Sequence, residues 1–350
     1  MKEEILSEIL DNTKKLMKCV TIKNNYEEFD KALNIIKKEL KNYYIEEIVV
    51  NNYKNLVISN TKQHDLDIIF CGHVDVVPSE AYEPVVSDGC LYGRGSFDMK
   101  GQLSVMISLF KNNNINKKVA LIITSDEEIG GICCHEIIKN YSAKLAVVPD
   151  AGVNFNLIVE EKGLLQIEVE TMGVSSHASQ PYKGENAIIK SMTIYNKLIE
   201  KYPLPKNDQD FVTSINLSKI EGGKNVNSVA DICKIYLDIR FTKDVTKEMI
   251  LEDIKSISFD SKVKILDFGP MFYVDYNNEY IKKFINDAKI ILGRSVVIDK
   301  CVATSDAIYF SEKNIPCILI NPNGNYWHSP NEYVEIDSLY SLYLIFKTLI

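Results

Sequence analysis

No apolar run in this 350-residue chain approaches the roughly 20 residues that a membrane span needs. Excess positive charge is also missing: 40 lysines and arginines face 48 aspartates and glutamates, a net charge of −8. That balance argues against general affinity for nucleic acid or anionic membrane. None of the eight cysteines forms a C-x-x-C pair. Buried free thiols in a reducing compartment are the simpler reading, and Cys133-Cys134-His135 has no second cluster to complete a metal site. There is no G-x-S-x-G nucleophile elbow. Gly93 and Gly95 begin a dinucleotide-type loop, but Asp98 stands where the third glycine belongs and would repel a pyrophosphate. Gly222-Gly223-Lys224-Asn225 is no P-loop, since Ser218 and Asn225 occupy required positions. Repeats, low-complexity stretches and Pro/Gly linkers are absent. The N-terminal segment is charged and amphipathic, with Ile5, Ile9, Leu10 and Leu16 on one helical stripe. It lacks the apolar core and cleavage site of a secretory signal, so a cytoplasmic location is expected.

What is present is ordinary globular composition, 46% hydrophobic and 25% charged, in a chain too long for one core of usual size. Helical patterns cover about 3–18 and 26–41. Apolar strand patterns at 66–71, 118–124 and 144–149 then alternate with helical ones at 101–111 and 131–140, which predicts an α/β domain with a mixed, largely parallel sheet flanked by helices. Near residue 160 the pattern changes. Residues 163–172 alternate apolar and polar, as in a sheet with one wet face. A helix at 185–201, strands near 211–219 and 230–241, a helix near 246–257 and a strand near 262–267 follow. This β-α-β-β-α-β order is that of a ferredoxin-like α+β unit. The expectation is a catalytic domain formed by 1–160 and 269–350, with an inserted domain over 161–268.

The candidate catalytic residues recur at strand ends. His73, Glu127, Glu128 and Asp150 each follow a buried-strand pattern, and His328 comes a short loop after another. In open α/β sheets, ligands bind beyond the carboxyl ends of the strands. His73 and Asp75 are two apart and share a side in extended chain, so Asp75 can fix the imidazole tautomer that ligates a metal; a strand-end histidine held by a neighbouring acid is the alternative. Asp98 reads as a carboxylate bridging two metals. Glu127 and Glu128 diverge past their strand, so one can ligate a metal while the other faces a water, unless both belong to a solvated acidic turn. Two histidines with several carboxylates suit zinc, with cobalt or manganese as alternatives.

The motifs GHVDVVP (72–78), YGRGSFDMKG (92–101), TSDEEIGG (124–131), GVSSHASQP (173–181), DIRFT (238–242), ATSDA (303–307) and HSPNEYV (328–334) occur in the order found in the di-zinc aminoacylase/carboxypeptidase metallopeptidase family. That family includes succinyl-diaminopimelate desuccinylase, acetylornithine deacetylase and several di- and tripeptidases, and the chain resembles it over nearly its whole length. The resemblance implies two zinc ions per subunit. His73 and Asp150 would hold one, Glu128 and His328 the other, with Asp98 bridging. It makes Glu127 the general base that takes a proton from the bridging water and Asp75 the group that orients His73. It makes the inserted domain a lid and homodimerisation domain. His177 would reach a neighbouring subunit's site to stabilise an oxyanion. Arg240 and Asn227 would grip a small-molecule substrate with a free carboxylate, and Thr304 and Ser305 would line the pocket. The implied activity is cleavage of the amide of an N-acyl amino acid, in the manner of succinyl-diaminopimelate desuccinylase or acetylornithine deacetylase. A di- or tripeptidase on the same scaffold and a catalytically silent binding relative are the alternatives. Asp150 occupies a position that is often Glu in the deacylases and Asp in the peptidases, while the chain length and LIITSDEE favour the deacylases.

Overall fold

The structure, a computed structural model, describes residues 2–207 and 210–350. The chain divides into two compact units, one running up to Val159 and resuming over Val274–Ile350, the other spanning Glu160–Tyr273. The insertion thus ends four residues beyond the strand Lys262–Gly269, because a further short strand, Phe272–Tyr273, pairs with Glu160 and Glu161 before the chain leaves.

In the first unit, Asp65–His73 lies parallel to Val119–Thr124 on one side and to Ser142–Val148 on the other. Cys317–Ile320 extends the parallel set beyond Ser142–Val148. The run VALIIT is buried at every position, which is the composition a strand covered on both faces requires. The helices Lys2–Met17, Lys100–Asn112 and Ile336–Lys347 pack against one another. Lys100–Asn112 is buried from Lys100 to Phe110, and the close fit at its start leaves no room for a side chain: a Cβ on Gly101 would sit 2.3 Å from the Ser96 carbonyl oxygen.

Two antiparallel features lie outside the sequence expectation. Tyr44–Val50 and Tyr53–Ser59 form a hairpin at the sheet edge beside Val119–Thr124. Asn51 and Asn52 turn it, with φ of 47° and 71°, a conformation that asparagine tolerates better than other side chains do. The second is a small sheet in the order Gly324–Asn325, Tyr333–Glu335, Cys90–Tyr92, Val85–Ser87. Strands of two or three residues are too short to show a period in the sequence.

The second unit is a four-stranded antiparallel sheet in the order Ser214–Gly222, Ile232–Phe241, Gly163–Met172, Lys262–Gly269. Helices Ala187–Lys201 and Lys247–Ile257 complete the ferredoxin-like β-α-β-β-α-β order. Burial alternates along Gly163–Met172 and Ile232–Phe241. The inward set, Leu165, Ile167, Val169, Ile235, Leu237 and Ile239, packs with Ile194, Leu198, Ile250 and Ile254 of the helices in one core. The helices start on side-chain caps, Asn186 Oδ1 accepting from Ile188 N–H at 2.9 Å and Thr246 Oγ1 from Met249 N–H at 3.2 Å.

Candidate active site

Parallel strands deliver the candidate residues of the first unit to one edge. His73 ends its strand, Glu127 and Glu128 open a short helical turn after Val119–Thr124, and Asp150 lies two residues beyond Ser142–Val148. Asp98 stands just ahead of helix Lys100–Asn112. Two groups converge, His73 with Glu127 and Asp150, and Asp98 with Glu128 and His328. Within each group one donor atom from every residue lies within 4.8 Å of the others.

Asp98 joins the two groups. Its Oδ1 is 3.3 Å from His73 Nε2 and its Oδ2 is 3.1 Å from His328 Nε2. Asp150 Oδ1 approaches His73 Nε2 at 3.5 Å, and Glu128 Oε2 approaches His328 Nε2 at 3.0 Å. The two imidazoles differ in access: the His73 side chain is 1% exposed and that of His328 49%. His73 Nε2 and Glu128 Oε1 are buried without a hydrogen bond. Buried polar atoms without partners are costly. Here they face a set of imidazole nitrogens and carboxylate oxygens whose chemistry fits divalent zinc, cobalt or manganese.

The electrostatics express the crowding. Burial opposes charge on His73, but Asp150, Asp75 and Asp98 outweigh it and raise the imidazole well above its usual range. Contacts with Asp98 and Glu128 push His328 up to about 10. Burial works against ionised Asp98 as well, yet its contacts with His328 and His73 hold the carboxyl well below the usual range. Burial raises Asp150 to about 6, reinforced by Asp98 and Glu128. Burial, then the charge of Asp150, lifts Glu127 well above an ordinary carboxyl, the direction a group that must take up a proton needs.

The contact of Asp75 with His73 differs from the sequence expectation. His73 Nδ1 lies 3.0 Å from the Asp75 backbone carbonyl oxygen and 3.5 Å from Oδ1. Asp75 Oδ2 instead accepts the Glu128 N–H at 2.9 Å. Asp306 went unassigned in the sequence, although the ATSDA run contains it. Its buried carboxyl accepts the Thr124 hydroxyl at 2.9 Å and is driven well upward, chiefly by burial. Of its neighbours, Thr304 is exposed, and buried Ser305 places its Oγ 3.3 Å from the Ala307 N–H at the start of a helix. Cys134 faces Cys71, with the sulfurs 3.9 Å apart, whereas His135 meets Glu136, Glu312 and the Tyr309 ring. The Cys133-Cys134-His135 run therefore points in two directions. The contact with Cys134 pulls Cys71 down but burial carries it upward, and burial together with the same contact raises Cys134 well above its usual range.

In the second unit His177 and Asn227 come together: Ala178 N–H donates to the Asn227 carbonyl oxygen at 2.9 Å, and His177 bridges to Ser228. Both side chains are exposed, and His177 Nδ1 lies 2.8 Å from Ser179 Oγ. Arg240 stands at the far end of Ile232–Phe241, opposite Leu164 and Ser214, whereas Ile232, at the near end, pairs with Met172 just before the His177 loop. At strand rise, Ile232 and Arg240 are roughly 25 Å apart. The Arg240 guanidinium is forked on Asp238, through Nε at 2.8 Å and Nη2 at 3.3 Å.

Two histidines joined through a carboxylate at a parallel-sheet edge, with a glutamate beside them, form a donor set that suits a metallohydrolase. The chain belongs to the peptidase family M20/M25/M40, whose model matches residues 69–350, and with it acts on amide or peptide bonds. Among curated relatives, a LysW-lysine/LysW-ornithine hydrolase of Saccharolobus solfataricus is 28% identical, covering 78% of each chain. A succinyl-diaminopimelate desuccinylase of a Sulfurovum species is 23% identical over 95% of this chain and 96% of its own. Among solved structures, an aminopeptidase (PepT) of Bacillus cereus superposes with a TM-score of 0.77 at 20% identity, covering 99% of this chain and 98% of the other. At that identity the likeness speaks for the fold.

Proposed function

We propose that the chain is a cytoplasmic dinuclear zinc amidohydrolase that cleaves an N-acyl amino acid to a carboxylate and a free amine. The observation that carries the proposal is Asp98 set between His73 and His328 with Glu127 alongside. His73 and Asp150 would hold one ion and Glu128 and His328 the other, with Asp98 placed between the two groups. When bound, the two ions polarise the scissile carbonyl and ease deprotonation of water. Glu127 takes the proton from the attacking water, whose oxygen bonds to the carbonyl carbon. As the C–N bond breaks, Glu127 returns that proton to the leaving nitrogen. Asp75 keeps the His73 ring and the Glu128 backbone in place. Arg240 leaves Asp238 to anchor the substrate's free carboxylate.

His177 and Asn227 serve the site of a second copy, in a homodimer built through the second unit. A relative named as a desuccinylase that matches over nearly the full length supports succinylated amino acids as substrates. Asp150 in place of glutamate favours a second reading, a di- or tripeptidase.

Metal analysis of the purified protein, paired with a panel of N-succinyl amino acids, N-acetyl amino acids and dipeptides, tests the proposal. About two zinc ions per chain with chelator-sensitive acyl cleavage supports it. Two metals with dipeptide cleavage alone moves the assignment to the peptidase reading. Absence of both metal and turnover after zinc is restored overturns it.

A further inference from the structure

Arg94 and Glu332 form an ion pair in the interior of the first unit, 2% and 0% exposed. A buried pair of this kind carries a desolvation cost that often exceeds its Coulombic gain, so stability alone is a poor account of it. The remaining partners of Glu332 point to another role. Its Oε2 takes Arg94, while its Oε1 accepts two backbone N–H groups, those of Phe97 and Asp98, each at 3.0 Å. The glutamate that follows His328 by four residues therefore holds the peptide that carries Asp98.

The surrounding backbone makes the same connection. Tyr333, Val334 and Glu335 pair with Tyr92, Leu91 and Cys90, and Gly93 N–H donates to the Glu332 carbonyl oxygen at 2.9 Å. Gly324 packs so closely on Phe97 that a Cβ there would meet the ring at 2.2 Å. Two segments more than two hundred residues apart in sequence are joined face to face. One ends in Asp98 and the other bears His328, and these two side chains meet at 3.1 Å. His328 itself is half exposed and sits at φ 61°, so its loop is not held by burial of the ring.

We propose that Glu332, seated on Arg94, is a positioning residue for the second metal site: it fixes the Asp98 backbone against the His328 loop before any ion arrives. The proposal rests on the two-metal reading given above. A carboxylate is needed because all its neighbours donate. A glutamine would turn an NH2 toward either the Arg94 guanidinium or the two N–H groups, donor against donor. Loss of such outer partners typically weakens metal affinity about 10- to 100-fold.

The test is cobalt(II) titration of metal-free protein, read by visible absorption and bound stoichiometry, beside thermal unfolding of the metal-free form. Wild type, Glu332→Gln and the double variant Arg94→Met/Glu332→Leu are compared. The double variant removes the pair without leaving an orphan charge, and such replacements are often tolerated. In both variants the second equivalent is expected to bind about 10- to 100-fold more weakly, with the first equivalent affected less. A folded variant that binds both equivalents as tightly as wild type, whatever its melting temperature, overturns the proposal and leaves Glu332 a purely structural residue. Wild type that takes up fewer than two ions overturns the two-metal reading itself. If neither variant folds, hydrogen exchange on wild type decides: Phe97 and Asp98 amides protected without metal support the proposal, and amides that exchange freely until metal is added overturn it.

Discussion

The carboxylate of Asp75 accepts the backbone N–H of Glu128 at 2.9 Å. Since its backbone carbonyl oxygen also lies 3.0 Å from the His73 ring, one residue touches both candidate half-sites. Asp75→Ala is expected to lower zinc affinity about 10- to 100-fold, whereas Asp75→Asn, which keeps an acceptor for the Glu128 N–H, loses less. Competition with a fluorescent chelator measures both. Equal affinities for Asp75→Ala and wild type would remove Asp75 from the site's support.

Glu127→Gln separates holding metal from moving a proton. The variant is expected to retain wild-type metal content and lose about 10²- to 10⁴-fold in kcat, the usual worth of a positioned general base. Loss of metal along with activity would instead make Glu127 a ligand of the group it shares with His73 and Asp150.

Subunit mixing tests the proposed role of His177 in the site of a second copy. In the proposed homodimer, Glu127→Gln and His177→Ala variants are each expected to be nearly inactive. If His177 acts on its partner, a mixed dimer carries both defects in one site and neither in the other, so mixing restores roughly a quarter of wild-type activity. No recovery after confirmed subunit exchange would confine His177 to its own chain.

The metal-free protein is expected to lose stability as pH rises. Asp150 is raised from 3.8 to about 6 and His328 from 6.5 to about 10. A raised folded-state value means the native form binds protons the unfolded chain releases, so the stabilisation is present at low pH and lost through the folded value. The melting temperature of chelator-treated protein should therefore fall from pH 5 to pH 9. Added zinc should flatten the profile, because the ion replaces the protons. A metal-free profile that rises over this range would show that the cluster does not govern it.

Leu237→Ala addresses the insertion's own core. The side chain is 2% exposed among Ile235, Ile239 and the two helices, so truncation is expected to cost about 2–5 kcal/mol. Denaturant unfolding followed by circular dichroism measures the loss.

The main elements were legible because buried parallel strands write themselves as continuous apolar runs, and His73, Glu127 and Asp150 each follow such a run directly. The ferredoxin-like insertion announced itself through the alternation in Gly163–Met172. What escaped was encoded in short or relational features. The small sheet that seats Asp98 against His328 has strands of two and three residues. Arg94 and Glu332 both lie inside motifs quoted from the sequence, but nothing local says that one neutralises the other across the fold. The Asn51-Asn52 turn is a hairpin signal carried by two residues between two apolar runs. Asp306 lies within the ATSDA run, and only folding places it beside Thr124.

Where the chain passes from Val159 to Glu160 and returns from Tyr273 to Val274, each unit closes on itself. Tyr273 pairs with Glu160, and Val274 donates its N–H to the Val159 carbonyl oxygen at 3.0 Å. The inserted segment therefore begins and ends at a single doorway. In evolutionary terms such a cassette can be gained, lost or exchanged through one pair of neighbouring breakpoints without rethreading the host sheet. For an engineer the same doorway is a graft site, into which the corresponding segment of a relative with different substrate preference can be spliced.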